Sequence, residues 1–243
     1  MCAEERPAFY ALPPGGWRDV WTLLHPPYTV WHLSYVVIGA ALAPRLHIGW
    51  MLETMAAFFL AMGIAAHALD ELHGRPLGTA FGDATLKSLA AIGLMGAVAI
   101  GVHGAFVSTP WMWALIPVGG FLVLAYNLEL VGGRFHSDGW FAVAWGGFPL
   151  ATSYVAQTGT IRPAAVIGAG ACIAFSAAQR VLSTPVRKMR RRVERVEGRV
   201  MLRDGSIEEL DAATLRSTPE RALRLMSVAV PSFAIALVVA RLS

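Results

Sequence analysis

Long apolar runs alternate with short polar interruptions along the chain, and neither the two-residue period of a strand nor the narrow stripe of a soluble amphipathic helix describes them. Seven runs stand out, at 28–43, 48–69, 86–107, 110–126, 140–156, 163–182 and 225–239. A helix needs about 20 apolar residues to cross the hydrocarbon core of a bilayer. The pattern therefore predicts an all-α, polytopic membrane bundle of about seven transmembrane helices, and runs near the short limit leave the count open by one. It divides the chain into a polar N-terminal segment at 1–24, a six-helix bundle at 25–182, a basic segment at 183–224 and a final transmembrane helix at 225–243.

Composition agrees with this division. Over the 243 residues, 56% are hydrophobic and 15% charged, with a mean hydropathy of +0.53, against about 25% charged in a soluble domain. Disorder, a disulfide scaffold and a collagen-like repeat are excluded. Cys2 and Cys172 form no C-x-x-C pair, so thiol redox chemistry is not expected. The first 24 residues lack a basic region followed by an apolar core and a small-residue cleavage site, so no cleavable signal peptide is expected. A pI of about 9.4 would suit nucleic acid, but the cations cluster beside spans, where anionic lipid headgroups are the simpler partner. No nucleic-acid partner is expected.

With the N-terminus in the cytoplasm, 17 of the 20 Lys and Arg residues fall on that side, leaving only Arg45, Arg162 and Arg241 outside. This is the asymmetry of the positive-inside rule, and it sets the C-terminus across the membrane. The eight tryptophans lie mostly near run ends, as interfacial anchors do. Within the basic segment, Val200, Leu202, Ile207 and Leu210 flank Asp204-Gly205, a hairpin signature. Ser217 to Glu220 reads as a capping box that opens the last helix.

Ionisable residues carry the chemical information in such a chain, because holding them in or beside a span is costly. The second run ends with His67, Asp70, Glu71, His73 and Arg75, and helical spacing lets His67 share a face with Asp70 and Glu71. Beyond Tyr126 and Asn127, the fourth run closes on Glu129, followed by a loop carrying Arg134, His136 and Asp138. Both clusters are expected on the cytoplasmic side. Together, His67, Asp70, Glu71, His73, Glu129, His136 and Asp138 form a candidate set of divalent-metal ligands, with Arg75 and Arg134 available for an anion. An Arg75 salt bridge, or a helix cap at Ser137 or Asp138, would explain parts of these clusters without any function. His32 and His103 lie inside runs, where a hydrogen bond to a neighbouring carbonyl or hydroxyl is a simpler expectation than a haem. Glu53, His25 and His47 receive no role.

His25-Pro26-Pro27-Tyr28-Thr29-Val30, ahead of a first run ending Gly39-Ala40-Ala41-Leu42-Ala43, resembles the Arg-Pro-x-Thr-Leu opening of UbiA-type intramembrane prenyltransferases. Asp70 followed by Arg75-Pro76-Leu77 is similar to that superfamily's first Asp-rich motif, with Ala66 and His67 standing where its Asn and first Asp would be. Tyr126, Gly146-Gly147-Phe148-Pro149-Leu150 and Gln157-Thr158-Gly159 resemble its menaquinone branch. In place of a second Asp-rich motif stands Ala178-Gln179-Arg180-Val181-Leu182-Ser183. The resemblance implies a UbiA-like bundle acting on an isoprenoid or prenyl diphosphate by metal-assisted prenyl transfer or cyclisation. In that reading Asp70, Glu71 and Tyr126 are catalytic and Arg75, Arg134 and Asn127 bind substrate. Magnesium is the favoured metal, with zinc, iron or manganese as alternatives. Two other readings keep the bundle. One is a zinc- or iron-dependent lipid hydrolase or oxidoreductase, and the other is a non-catalytic protein whose basic segment docks a partner or a lipid surface.

Overall fold

A computed structural model describes residues 6–243. A short amphipathic helix, α1 (Trp17–Leu24), precedes the bundle. The bundle itself comprises α2 (Pro26–Leu42), α3 (Ile48–Leu72), α4 (Asp83–Val107), α5 (Met112–Asn127), a helix α6 over 138–158, α7 (Pro163–Arg192) and α8 (Ala212–Leu242). Seven long helical segments thus coincide with the seven apolar runs. Four of them, α3, α4, α7 and α8, are long and apolar enough to cross a membrane, which marks the chain as a membrane protein.

Consecutive segments run up and down. At one end the C-terminus of α8 meets the α2–α3 turn, where Arg241 Nη2 donates to the carbonyls of Ala43 and Pro44 at 3.1 and 2.5 Å. Gln157, ending α6, closes the same turn by accepting from the His47 amide at 2.7 Å and donating to the His47 carbonyl at 3.1 Å. The opposite end gathers the N-terminus of α2, the C-termini of α3, α5 and α7, and most of the cations.

The centre of the bundle is the crossing of α2 with α6, flanked by α8 and α7. Trp31, Tyr35, Leu150 and Leu223 are fully buried there. Small residues permit the close approach: a Cβ at Gly39 would stand 2.3 Å from the Leu150 carbonyl oxygen, and one at Gly146 would stand 2.5 Å from that of Cys172. Membrane helices rely on such backbone-to-backbone contact because lipid supplies no hydrophobic force between them. Of the tryptophans, Trp17, Trp21, Trp111, Trp113 and Trp140 are exposed. Trp31 and Trp145 depart from the anchor role: both are buried, and Trp31 Nε1 donates to the Tyr35 hydroxyl at 2.5 Å.

The basic segment divides differently from its expected bounds. α7 continues through Pro185 to Arg192, and an antiparallel hairpin of β1 (Gly198–Met201) and β2 (Ile207–Leu210) follows. α8 begins at Ala212, where the Asp211 side chain accepts from the Thr214 amide at 2.6 Å. The expected capping box at Ser217–Glu220 is therefore a helix interior. Glu220 is drawn away from the backbone by Arg190, whose Nη2 lies 2.8 Å from both carboxylate oxygens.

Candidate functional site

A cavity of about 130 Å³ opens at the cation-rich end, between α2, α3, α5, α6 and α7, with residues 7–10 across it. α7 contributes Gln179, Arg180, Ser183, Arg187 and Arg191. The last four are spaced i, i+3, i+7 and i+11, which places them along one face of the helix. α3 contributes His67 and Asp70, and α5 and its following loop contribute Tyr126, Asn127 and His136. Among the described residues Asp70 is the single carboxylate on the wall, and the guanidinium groups of Arg191 and Arg187 are the leading charges acting on it. The wall therefore carries a net positive charge.

Several of these side chains are fixed by neighbours. Arg180 Nε donates to Asp138 Oδ1 at 2.6 Å while its guanidinium lies 5.0 Å from the centre of the Phe141 ring. Arg191 Nε donates to the Pro7 carbonyl at 3.2 Å, holding the N-terminal strand of residues over the opening. Among the described residues Arg187 makes one long side-chain contact, to Thr184 Oγ1 at 3.4 Å, which leaves its charge available to a ligand. The His136 ring stacks on Tyr126 at 4.4 Å, with Nδ1 3.0 Å from the Tyr126 carbonyl oxygen. Asn127 donates back to the Val123 carbonyl at 2.7 Å.

Of the residues singled out from sequence, His67, Asp70, Tyr126, Asn127 and His136 meet in this cavity, whereas Glu71, His73, Arg75, Glu129, Arg134 and Asp138 lie outside its wall. Glu71 is turned toward the loop after α3 for a clear physical reason. Fully buried, it accepts from the amides of Leu77 and Thr79 at 2.9 and 2.8 Å and from the Thr79 hydroxyl at 2.9 Å. Its carboxylate folds the loop after α3. Arg75 pairs with Asp83 and donates to the Phe81 carbonyl at 2.5 Å, Arg134 is exposed, and Asp138 is taken by Arg180. His73 and His136 each approach Glu129 Oε1 only to 3.9 Å. Among the described residues no three His, Cys, Asp or Glu side chains are grouped so as to hold a metal ion. The donor set thus does not fit a bridged divalent-metal centre of the kind the resemblance implies.

Glu71 yields a first expected result. Glu71→Gln turns an acceptor toward the loop amides into a donor, and an unsatisfied buried group costs about 1–3 kcal/mol. The thermal midpoint should fall while ligand affinity at the cavity is unchanged. A loss of affinity at unaltered stability would restore Glu71 to the site.

Sequence reasoning missed the residues that enter from outside the two clusters: Tyr10, His25, Tyr28, His32, Gln179 and the arginines of α7. His25 occupies a left-handed turn (φ 47°) between α1 and α2 and stacks on His67 at 4.2 Å. The Tyr10 hydroxyl lies 2.8 Å from its Nδ1. Burial pushes Tyr10 well above the ordinary phenol range, so the phenol keeps its proton and donates. Burial, then His67, Arg191 and Arg187, push His25 well below the ordinary imidazole value.

The consequence for stability has a definite sign. The unfolded imidazole takes up a proton near pH 6.5 and the folded one resists it, so stability falls as pH drops below about 6.5. Thermal midpoints measured from pH 7.5 to 5 should decline more steeply in the wild type than in His25→Asn, a residue tolerant of the left-handed backbone. Equal slopes would remove His25 from this account.

A second, almost wholly apolar slot of about 80 Å³ runs between α3, α4, α5 and α6. Met62 and Trp145 line both spaces, so the slot begins at the inner wall of the charged cavity. Gly101, Gly119, Gly120, Ala57, Ala61 and Ala97 keep it open. A cationic, aromatic chamber is thus continued by an apolar slot. No known protein family, curated protein or solved structure matches the chain.

Proposed function

We propose that this chain binds an isoprenoid carrying a phosphate or diphosphate head and acts on it by prenyl transfer or cyclisation. One observation carries the reading: Arg180, Arg187 and Arg191 line a membrane-bundle cavity that, among the described residues, holds a single carboxylate. Guanidinium groups recognise phosphate oxygens through paired, charge-assisted donors. The apolar slot suits the tail, and the resemblance of roughly residues 24–160 to UbiA-type proteins points to the same substrate class. Breaking the allylic carbon–oxygen bond sends the electron pair out with the diphosphate and leaves a carbocation. The faces of Tyr126, Phe141 and Trp145 would stabilise that cation, and Asp70 would accept the proton it sheds. Guanidinium charge takes over the leaving-group neutralisation that a metal-bridged enzyme assigns to its cation. Magnesium, or zinc, iron or manganese in its place, is then not required for binding. By the positive-inside rule the cavity faces the cytoplasm.

The test uses the full chain in lipid nanodiscs with farnesyl diphosphate as the probe, titrated with EDTA and with magnesium. Saturable binding in EDTA, with slow release of diphosphate on adding an acceptor extract, is the expected result. Binding only with magnesium would return the reading to a metal-bridged site, and no binding under either condition would overturn it.

A further inference from the structure

His32 and Gln179 form a second, uncharged recognition point in the same cavity. His32 lies seven residues inside α2 from His25, and Gln179 lies eight residues inside α7 from Arg187. At 1.5 Å per residue both sit roughly 10–12 Å deeper along their helices than the residues at the opening. They are 5% and 4% exposed. His32 Nε2 and Gln179 Oε1 are buried without a hydrogen-bond partner, although both side chains line the cavity. The two side chains interact with each other without closing a hydrogen bond, and among the described residues no other neighbour supplies one. The Phe141 ring stands edge-on to His32 at 5.6 Å, and the Tyr35 hydroxyl is engaged by Trp31 Nε1 and Ser176 Oγ at 2.5 and 3.4 Å.

The unsatisfied atoms select the ligand group. Gln179 Oε1 only accepts, and an imidazole Nε2 donates or accepts according to its tautomer. A hydroxyl, which gives one bond and takes another, satisfies both. A carbonyl or ether oxygen leaves Gln179 unpaired, and a carboxylate is better placed against the arginines. Beyond this point Met62 and Trp145 open into the apolar slot, where an alkyl chain fits. We infer that His32 and Gln179 bind the hydroxyl of a neutral long-chain alcohol whose chain lies in the slot. The inference shares a cavity with the proposed function but does not use its arginines.

Native mass spectrometry of the full chain released from detergent, with 1-dodecanol and dodecyl methyl ether as probes, tests it. The wild type should bind the alcohol at least tenfold more tightly than the ether, about 1.4 kcal/mol. The preference should disappear in His32→Leu and Gln179→Leu. Both replace an unpartnered polar atom by methyl groups, so their thermal midpoints should not fall, which separates a lost subsite from a damaged fold. If either fails to stay monodisperse, Gln179→Met keeps the side-chain length and carries the comparison. Equal affinities in the wild type, meaning water alone occupies the point, or a preference that survives the substitutions, overturns the inference. Arg187→Gln should lose farnesyl diphosphate and retain the alcohol preference, so failure of the anion reading and failure of this one are told apart.

Discussion

Replacing Arg187 and Arg191 together by Gln should weaken farnesyl diphosphate binding by at least about 100-fold. Hydrogen bonds to charged groups contribute about 1.5–3 kcal/mol each, and two of them correspond to two or more decades in affinity. Arg187→Gln alone should account for at least one decade with little effect on folding, since its one side-chain bond among the described residues is the 3.4 Å contact to Thr184. Arg191→Gln also frees the Pro7 carbonyl, so its variant should lose some order over residues 6–12 as well as affinity. Lys188→Gln is the control: it removes one positive charge from the same helix, but Lys188 is exposed and lies outside the cavity. If Lys188→Gln weakens binding as much as Arg187→Gln, the effect is a general surface field and the cavity is not the site.

The largest effect on stability is expected at Glu220. Its carboxylate is 8% exposed and is shared by Arg190 and Arg224 at 2.8 and 2.9 Å, tying α7 to α8. Arg190 is itself 11% exposed, reaches the Arg6 carbonyl at 3.2 Å, and has an Nε with no partner. Glu220→Ala leaves this guanidinium buried without its counter-charge, a change that costs about 3–5 kcal/mol. The thermal midpoint should drop sharply, and the two helices should separate at the cation-rich end first. The double substitution Arg190→Met, Glu220→Leu should recover most of the loss, because well-packed apolar side chains replace a buried pair at little net cost. A double variant as unstable as Glu220→Ala would show that packing, not charge, dominates this contact.

Hydropathy made the seven helical segments legible because burial in hydrocarbon acts on long windows and tolerates local irregularity. The hairpin was legible for a local reason, the Asp204-Gly205 turn between alternating residues, with Gly205 at φ 87°. His67, Asp70, Tyr126, Asn127 and His136 were reachable because each lies next to a run end. Glu71 and Asp70 could not be separated from one another, since adjacent positions on a helix point about 100° apart and only the fold shows which direction meets the loop. Arg187 and Arg191 looked like surface charge because composition counts cations without facing. Their spacing with Arg180 and Ser183 was nevertheless a readable stripe along one face. Asp19, which takes the amides of Gly15 and Ala80 at 2.9 and 3.2 Å, and the unpartnered His32 depend on residues distant in the chain, which no local pattern encodes.

α3 is not wound uniformly: residues Phe59–Ala66 form a π-helical stretch that ends where His67 begins. Each such widening accommodates an additional residue without breaking the helix. The outer half of α3 packs on α4 and α6 in one phase, and the stretch resets the phase before His67 and Asp70. Deleting one residue within 59–66 would let the stretch rewind as ordinary α-helix and keep the facing of His67 and Asp70, whereas the same deletion in the α-helical turns on either side would shorten the helix by only about 1.5 Å but turn everything beyond it by about 100°, swinging the imidazole and the carboxylate off the chamber wall together. Length changes that a loop absorbs without effect would here erase a site while leaving the hydropathy profile almost untouched.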